Sequence, residues 1–181
     1  LLDWHLNWYL ANGFKKYRSR VRQVSETEWR LTTGERRRIL LNNIYGVDID
    51  LQAVEVTKLS LLLKVLEGET EESLSNQLLL AMHERALPDL ANNIKSGNSV
   101  VASDFYDGKQ IDFTDEEEAY RINAFDWTVQ FPQVFKEGGF DAVVANPPYV
   151  LLQALNQADV FKYLEGHFSA ARYKIDTYHV F

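Results

Sequence analysis

The sequence predicts an α/β protein built on an open parallel sheet, and three observations carry that prediction. Residues 142–145 (Ala142-Val143-Val144-Ala145) form an uninterrupted small and β-branched run that stops at Pro147-Pro148. Such a run suits a central strand covered by helices on both faces, and prolines, which lack N–H donors, cannot continue a ladder. A strand, a tight turn and a long helical pattern follow one another over residues 44–67, the first half of a βαβ unit. Finally, three expected strands end in polar residues, Asp48, Asn98 and Asn146, spaced 50 and 48 residues apart. In an open parallel sheet such ends converge on one crevice, and that crevice binds the ligand.

Taken in order, the chain opens on Leu1-Leu2, already inside an apolar-periodic segment with Trp4 and Trp8 on one helical face. The segment reads as a core-facing helix broken at Asn12-Gly13; a binding role for the tryptophans is the alternative. Residues 18–34 are polar and predict a loop or frayed helix, and 35–43 a short helix ending in Asn42-Asn43. The strand Ile44-Tyr45-Gly46-Val47-Asp48-Ile49-Asp50 leads into a helix over 51–67, with Asp50 placed as N-cap and Gly68 as C-terminal stop. Leu51, Val54, Lys58, Leu61, Leu62 and Val65 keep the helical period, and the 61–63 leucine run predicts heavy burial. An acidic linker over 69–75, a short helix over 76–85 and the stop Leu87-Pro88 precede a strand over 93–101 with a polar tip at Asn98. Asp107-Gly108 is a tight-turn signal whose spacing fails a calcium loop. The acidic loop 115–118 follows, and Phe125, Trp127, Phe131 and Phe135 are expected to cover the core. Helical character returns over 151–165, and a further element begins at 173.

At 181 residues and 46% apolar, the chain is expected to form one domain: N-terminal helices over 1–43, a core over 44–150, and a closing helix and next element over 151–181. No apolar run approaches the roughly 20 residues of a membrane span, and cytoplasmic location is expected. Zero cysteines exclude disulfides and thiolate metal sites. His5, His83, His167 and His179 show no ligand spacing, so no metal is expected. A formal charge of −7 argues against a tight nucleic-acid binder on its own. Nine basic residues fall between Lys15 and Arg38 against three glutamates. They read as a solvated helix face and loop, with a phosphate-contact patch as the alternative.

The tip after residue 145 offers a ligand the Asn146 side-chain oxygen, the Pro147 carbonyl and the flat ring of Tyr149, since the prolines leave only acceptors on the backbone. Asp48 can accept both hydroxyls of a ribose with Ile49 as a flat contact for the base, or it can serve only as a helix cap. Asn146-Pro147-Pro148-Tyr149, with Tyr45-Gly46-Val47-Asp48-Ile49-Asp50 and Ser96-Gly97-Asn98-Ser99, resembles the N6-adenine DNA methyltransferases of restriction-modification systems. The likeness is to the large single-chain type IIG or IIS enzymes that fuse nuclease, methyltransferase and target recognition. Asn123-Ala124-Phe125-Asp126-Trp127 and Phe131-Pro132 before Gly139-Phe140-Asp141 are similar to that group's lead-in to its catalytic strand. The resemblance covers roughly residues 35–181.

The resemblance implies a Rossmann-like class I methyltransferase sheet and S-adenosylmethionine as cofactor. Asp48 and Ile49 would hold its ribose and adenine, with Asn98 near the adenine amine, where many relatives carry an acid. The partner implied is double-stranded DNA with a flipped adenine, bound by Asn146, Pro147, Pro148 and Tyr149. The sequence departs from the family in having no G-x-G loop for the methionine end. The first strand with that loop is expected upstream of Leu1 and a target-recognition region beyond Phe181, so the chain alone is expected to be inactive. Two rivals stand beside this reading: a protein glutamine N5-methyltransferase with the same Asn-Pro-Pro-Tyr tip, and a non-catalytic scaffold fragment.

Overall fold

A computed structural model describes residues 1–68, 89–107, 120–146 and 158–171. These form a mixed α/β chain with two small sheets. Two compact units divide it, Leu1–Gly46 with Gln52–Lys95, and Val47–Leu51 with Ser96–Phe181. The expected linker at 69–75, helix at 76–85 with its Leu87-Pro88 stop, Gly108, acidic loop at 115–118, first half of the helix at 151–165 and element at 173 lie outside the described residues.

In the first unit, α1 (Leu2–Tyr17) is kinked at Gly13, whose φ of 145° is open to glycine at little cost. The non-helical backbone at Gly13 breaks the helix where the sequence predicts it, at Asn12-Gly13. Residues 18–34 correct the expected loop: β1 (Val21–Gln23) and β2 (Trp29–Leu31) pair antiparallel, with Val21 opposite Leu31. The reason is packing, because both residues are buried with Tyr9 of α1 and Ile39 in one cluster. Polar composition hid two inward-facing positions. α2 (Thr33–Asn43) starts at Thr32, whose hydroxyl accepts the Glu35 N–H at 3.3 Å. Ile39 on this helix is fully buried, a contribution of roughly 1.5–3 kcal/mol. Leu40 reaches a second cluster with Val54 and Val65 of α3 (Leu51–Leu66), Leu90 and Ile94.

The leucine run on α3 is less buried than expected. Leu61 and Leu62 pack against that cluster, but Leu63 is 60% exposed. Successive helical positions turn by about 100°, so three consecutive leucines cannot share one face. Most of the basic stretch is taken up internally: Arg20 and Arg38 on Glu35, Arg22 on the Gly68 carbonyl, Arg30 on Glu28, and Arg36 on the Glu67 carbonyl. Those side chains serve folding.

β3 (Gly46–Asp48) and β4 (Ile94–Ser96) form the second sheet. The Gly46 N–H donates to the Asn93 carbonyl and the Gly97 N–H to the Asp48 carbonyl, each at 2.9 Å. The two bonds advance in step along both segments, so the strands run parallel, as the βαβ pattern predicts.

In the second unit the core gathers Val101, Phe105, Ile122, Val160, Leu164 and Ala171. Two short helices, α4 (Trp127–Gln130) and α5 (Pro132–Lys136), form a separate aromatic group with Phe125, Phe131 and Phe140, and α6 (Ala158–His167) supplies Val160 and Leu164 to the core. Phe125 and Phe131 are buried as expected, whereas Phe135 is exposed. The largest correction concerns residues 142–145. They form no strand, and Val143 and Val144 are 76% and 97% exposed. A β-branched run becomes a strand only when a neighbour takes its N–H and C=O groups, and no described residue does so.

Candidate functional site

Parallel pairing carries β3 and β4 to the same end, where Asp48 and the Asn98 loop meet. The Gly97 N–H bond to the Asp48 carbonyl makes them neighbours. Asp48 is exposed, and one of its carboxylate oxygens accepts the Asp50 N–H at 2.9 Å, closing an Asx turn into α3. The capping alternative is thus realised by Asp48 with one oxygen; the other takes no hydrogen bond among the described residues. Ile49 stands beside it 55% exposed, an apolar surface next to an acceptor. Both features suit a nucleoside: a carboxylate for paired hydroxyls and a flat contact for a base.

Asn98 is half-buried, its N–H donating to the Asn123 carbonyl at 2.6 Å and its side-chain oxygen accepting the Val100 N–H at 3.2 Å. An isolated parallel bridge joins it to Ala124. The structure therefore brings Asp48, Ile49 and Asn98 together. Asn146 is exposed, and no contact among the described residues ties it to those three. Pro147, Pro148 and Tyr149 lie outside the described residues.

Residues 123–127 brace the Asn98 loop, a part that strand-and-helix patterns do not announce. The signal available in the sequence is Gly97: a Cβ there would overlap the Phe125 ring. The Trp127 indole N–H donates to the Ser99 carbonyl at 2.9 Å, and the Ser103 N–H to the Asp126 carboxylate at 3.2 Å. Next to Ser103, the Tyr163 hydroxyl donates to Asp104 at 2.5 Å, and a ring nitrogen of His167 lies 3.1 Å from the same carboxylate. Burial, then the Asp104 carboxylate, push the Tyr163 hydroxyl up to about 12, and the Tyr163 hydroxyl and His167 hold Asp104 below its ordinary value. The cluster fastens α6 to the Ser103–Tyr106 turn.

A cavity of about 640 Å³ opens in the first unit, lined by Leu2, Leu6, Trp29, Ile39, Leu61 and Val65 among others. It contains none of the predicted site residues. Four of its charged residues pair with one another, Arg30 with Glu28 and Lys64 with Glu67, and Arg36 donates to the Glu67 carbonyl. No cluster of metal-ligating side chains occurs among the described residues, and none of their helices is long and apolar enough to cross a membrane.

Comparison with known proteins gives the family. Residues 42–181 match the Eco57I restriction-modification methylase family. The Escherichia coli protein named type II restriction enzyme and methyltransferase RM.Eco57I is 32% identical over 97% of this chain. A Methanocaldococcus jannaschii protein, RM.MjaORFECS2P, is 44% identical over 35% of the chain. The chain spans 15% of the first relative's length, and the match to the second covers 5% of that protein. No solved structure matches. With the family matched over residues 42–181 and the E. coli relative along nearly the whole chain, the protein belongs to the Eco57I restriction-modification methylases.

Proposed function

We propose that the chain is the catalytic part of a DNA adenine-N6 methyltransferase of a restriction-modification system, with a Rossmann-like class I sheet and S-adenosylmethionine as methyl donor. The observation that carries the reading is the meeting of parallel strand tips at Asp48 and Asn98, joined by the 2.9 Å bond from Gly97, in a member of this methylase family.

The residues present fit the adenosine end of that cofactor: an exposed carboxylate at Asp48, one oxygen of which takes no hydrogen bond among the described residues, and an exposed apolar side chain at Ile49. Asp48 would accept the ribose hydroxyls, Ile49 would cover the adenine and Asn98 would face its amine. Bound there, the cofactor supplies an electrophilic methyl group. The acceptor chemistry falls to Asn146 and its neighbours. An adenine amine is a poor nucleophile because its lone pair is conjugated with the ring. The Asn146 side-chain oxygen and the Pro147 carbonyl would bind its two hydrogens and favour a pyramidal nitrogen. Pro148 would restrict the backbone of that tip, and Tyr149 would stack on the flipped base, worth roughly 1–3 kcal/mol. Each hydrogen bond contributes only about 1 kcal/mol net, whereas alignment of reacting atoms supplies roughly 7–11 kcal/mol, so positioning dominates.

The test is label transfer by the complete enzyme. Duplex DNA and a glutamine-containing protein are offered together with methyl-labelled S-adenosylmethionine, and the products are digested and separated. Label in N6-methyladenine is expected. Label in glutamine, in another base, or in neither substrate contradicts the proposal.

A further inference from the structure

We infer that residues 123–127 form a positioning strap that sets the Asn98 loop for the adenosine end of the cofactor, with Asn123 as its central residue. The inference rests on the reading of Asp48 and Asn98 as the cofactor side of a methyltransferase site.

Asn123 is the one non-glycine residue with positive φ among the described residues, at 48°. Most side chains pay roughly 1–2 kcal/mol for this left-handed conformation, and asparagine is among the few that adopt it readily. The turn lets a single residue hold both sides of Gly97. Its carbonyl accepts the Asn98 N–H at 2.6 Å, and its side-chain amide donates to the Ser96 hydroxyl at 3.0 Å. Beyond it, the Phe125 N–H donates to the Val101 carbonyl at 2.7 Å, while its ring fills the space that Gly97 leaves open. Trp127 takes the Ser99 carbonyl and Asp126 the Ser103 N–H.

The loop's own bonds are few. Asn98 accepts the Val100 N–H on its side chain and the Val101 N–H, at 3.3 Å, on its carbonyl. Apart from the Gly97 bond to Asp48 and the Ala102 N–H on the Tyr163 hydroxyl, the anchors named here come from the strap, some 27 residues away in sequence. A loop with so little local bonding takes its shape from what is laid against it. The Gly97 N–H in turn reaches the Asp48 carbonyl, so the loop that the strap fixes touches the ribose-binding residue through one backbone bond. No described contact runs from the strap to Asn146. Trp127 meets the Phe140 ring at 5.7 Å, six residues short of Asn146, whereas the strap's hydrogen bonds named above all fall on the Asn98 side, so its effect is expected in cofactor binding.

Steady-state kinetics of the complete enzyme, with the cofactor varied at saturating DNA, test this. Asn123→Gly keeps the left-handed backbone and deletes the amide. It should raise KM for S-adenosylmethionine roughly five-fold, the loss of about one net hydrogen bond, and leave kcat within about two-fold. Ser96→Ala should do the same, and the double variant should be no worse than either alone, because both remove one bond. Asn123→Asp should restore the wild-type KM, since the Ser96 hydroxyl can donate to a carboxylate. A wild-type KM in Asn123→Gly, including one accompanied by a lowered melting temperature, reduces the strap to a purely structural element and overturns the inference. So does a fall in kcat at unchanged KM, or additive effects in the double variant. Failure of the wild-type enzyme to use S-adenosylmethionine at all would bring down the methyltransferase reading and this inference with it, whereas normal turnover with an indifferent Asn123 brings down the strap alone.

Discussion

The two halves of the proposed site are built in opposite ways. At the adenosine end, Asp48 is tied through Gly97 to a loop that residues 123–127 hold at several points. At the acceptor end, residues 142–146 are exposed and take no backbone hydrogen bond from any described residue. Yet the acceptor end has the stronger sequence signal. A β-branched run and two prolines are local properties, readable from a few residues. Bracing is a property of partners far along the chain. The contrast separates what a motif specifies, the chemistry of its side chains, from what it borrows, their fixed position.

Substitutions can break or sharpen that contrast. The largest effect belongs to the acceptor end: in the complete enzyme, Asn146→Ala should lower methylation at least about 100-fold, the scale of a misplaced reacting group, while DNA binding measured by gel shift persists. In the proposed mechanism Asn146 binds the target amine and would touch no phosphate. Asp48→Ala should instead weaken S-adenosylmethionine binding about 10- to 100-fold in calorimetry, the loss of hydrogen bonds to a charged group. If the two variants fail in the same way, the halves are not separable.

Stability effects are smaller. Gly97→Ala forces the Phe125 ring aside and should cost roughly 1–3 kcal/mol in urea unfolding. Tyr9→Phe, in the first unit, removes a hydroxyl that donates to buried Glu35 at 2.5 Å and should cost roughly 1.5–3 kcal/mol. Burial alone would raise the Glu35 carboxyl, but the Arg38 hydrogen bonds, the Tyr9 hydroxyl and the Arg20 charge hold it below the usual glutamate value. A carboxyl lowered on folding stabilises the protein above its unfolded value, about 4.3, and that contribution is lost as pH falls through the lower folded value. Unfolding measured against pH should therefore steepen below about pH 4.3 in wild type and flatten in Glu35→Gln. Val144→Ser should change stability by no more than about 0.5 kcal/mol, because the side chain is already in solvent. A cost of several kcal/mol there would mean that the run is packed after all.

The sequence made much of this legible where the cause is local. The helix over α3, the kink at Gly13, the strand into Asp48 and the polar tip at Asn98 all follow from periodicity, caps and turn residues. The β1–β2 hairpin did not, because Val21 and Leu31 are isolated apolar positions in a polar stretch, and only Tyr9 and Ile39 opposite them make them inward-facing. Residues 142–145 erred the other way: a strong strand signal with no described neighbour to pair it. Asp48, Ile49 and Asn98 were readable as a group because parallel strands carry polar ends to one place. The part played by Asn123 was not, since it depends on a positive φ and on a contact across a glycine.

Backbone hydrogen exchange, resolved residue by residue, tests the contrast most directly. The amides of Gly97, Asn98, Ser103 and Phe125, each donating to a named acceptor, should exchange slowly. Those of Val143, Val144, Ala145 and Asn146 should exchange at rates close to an unfolded peptide. Slow exchange across 142–146 would show that the acceptor end is braced like the adenosine end, and fast exchange at Asn98 and Phe125 would show that neither is; either result contradicts the account.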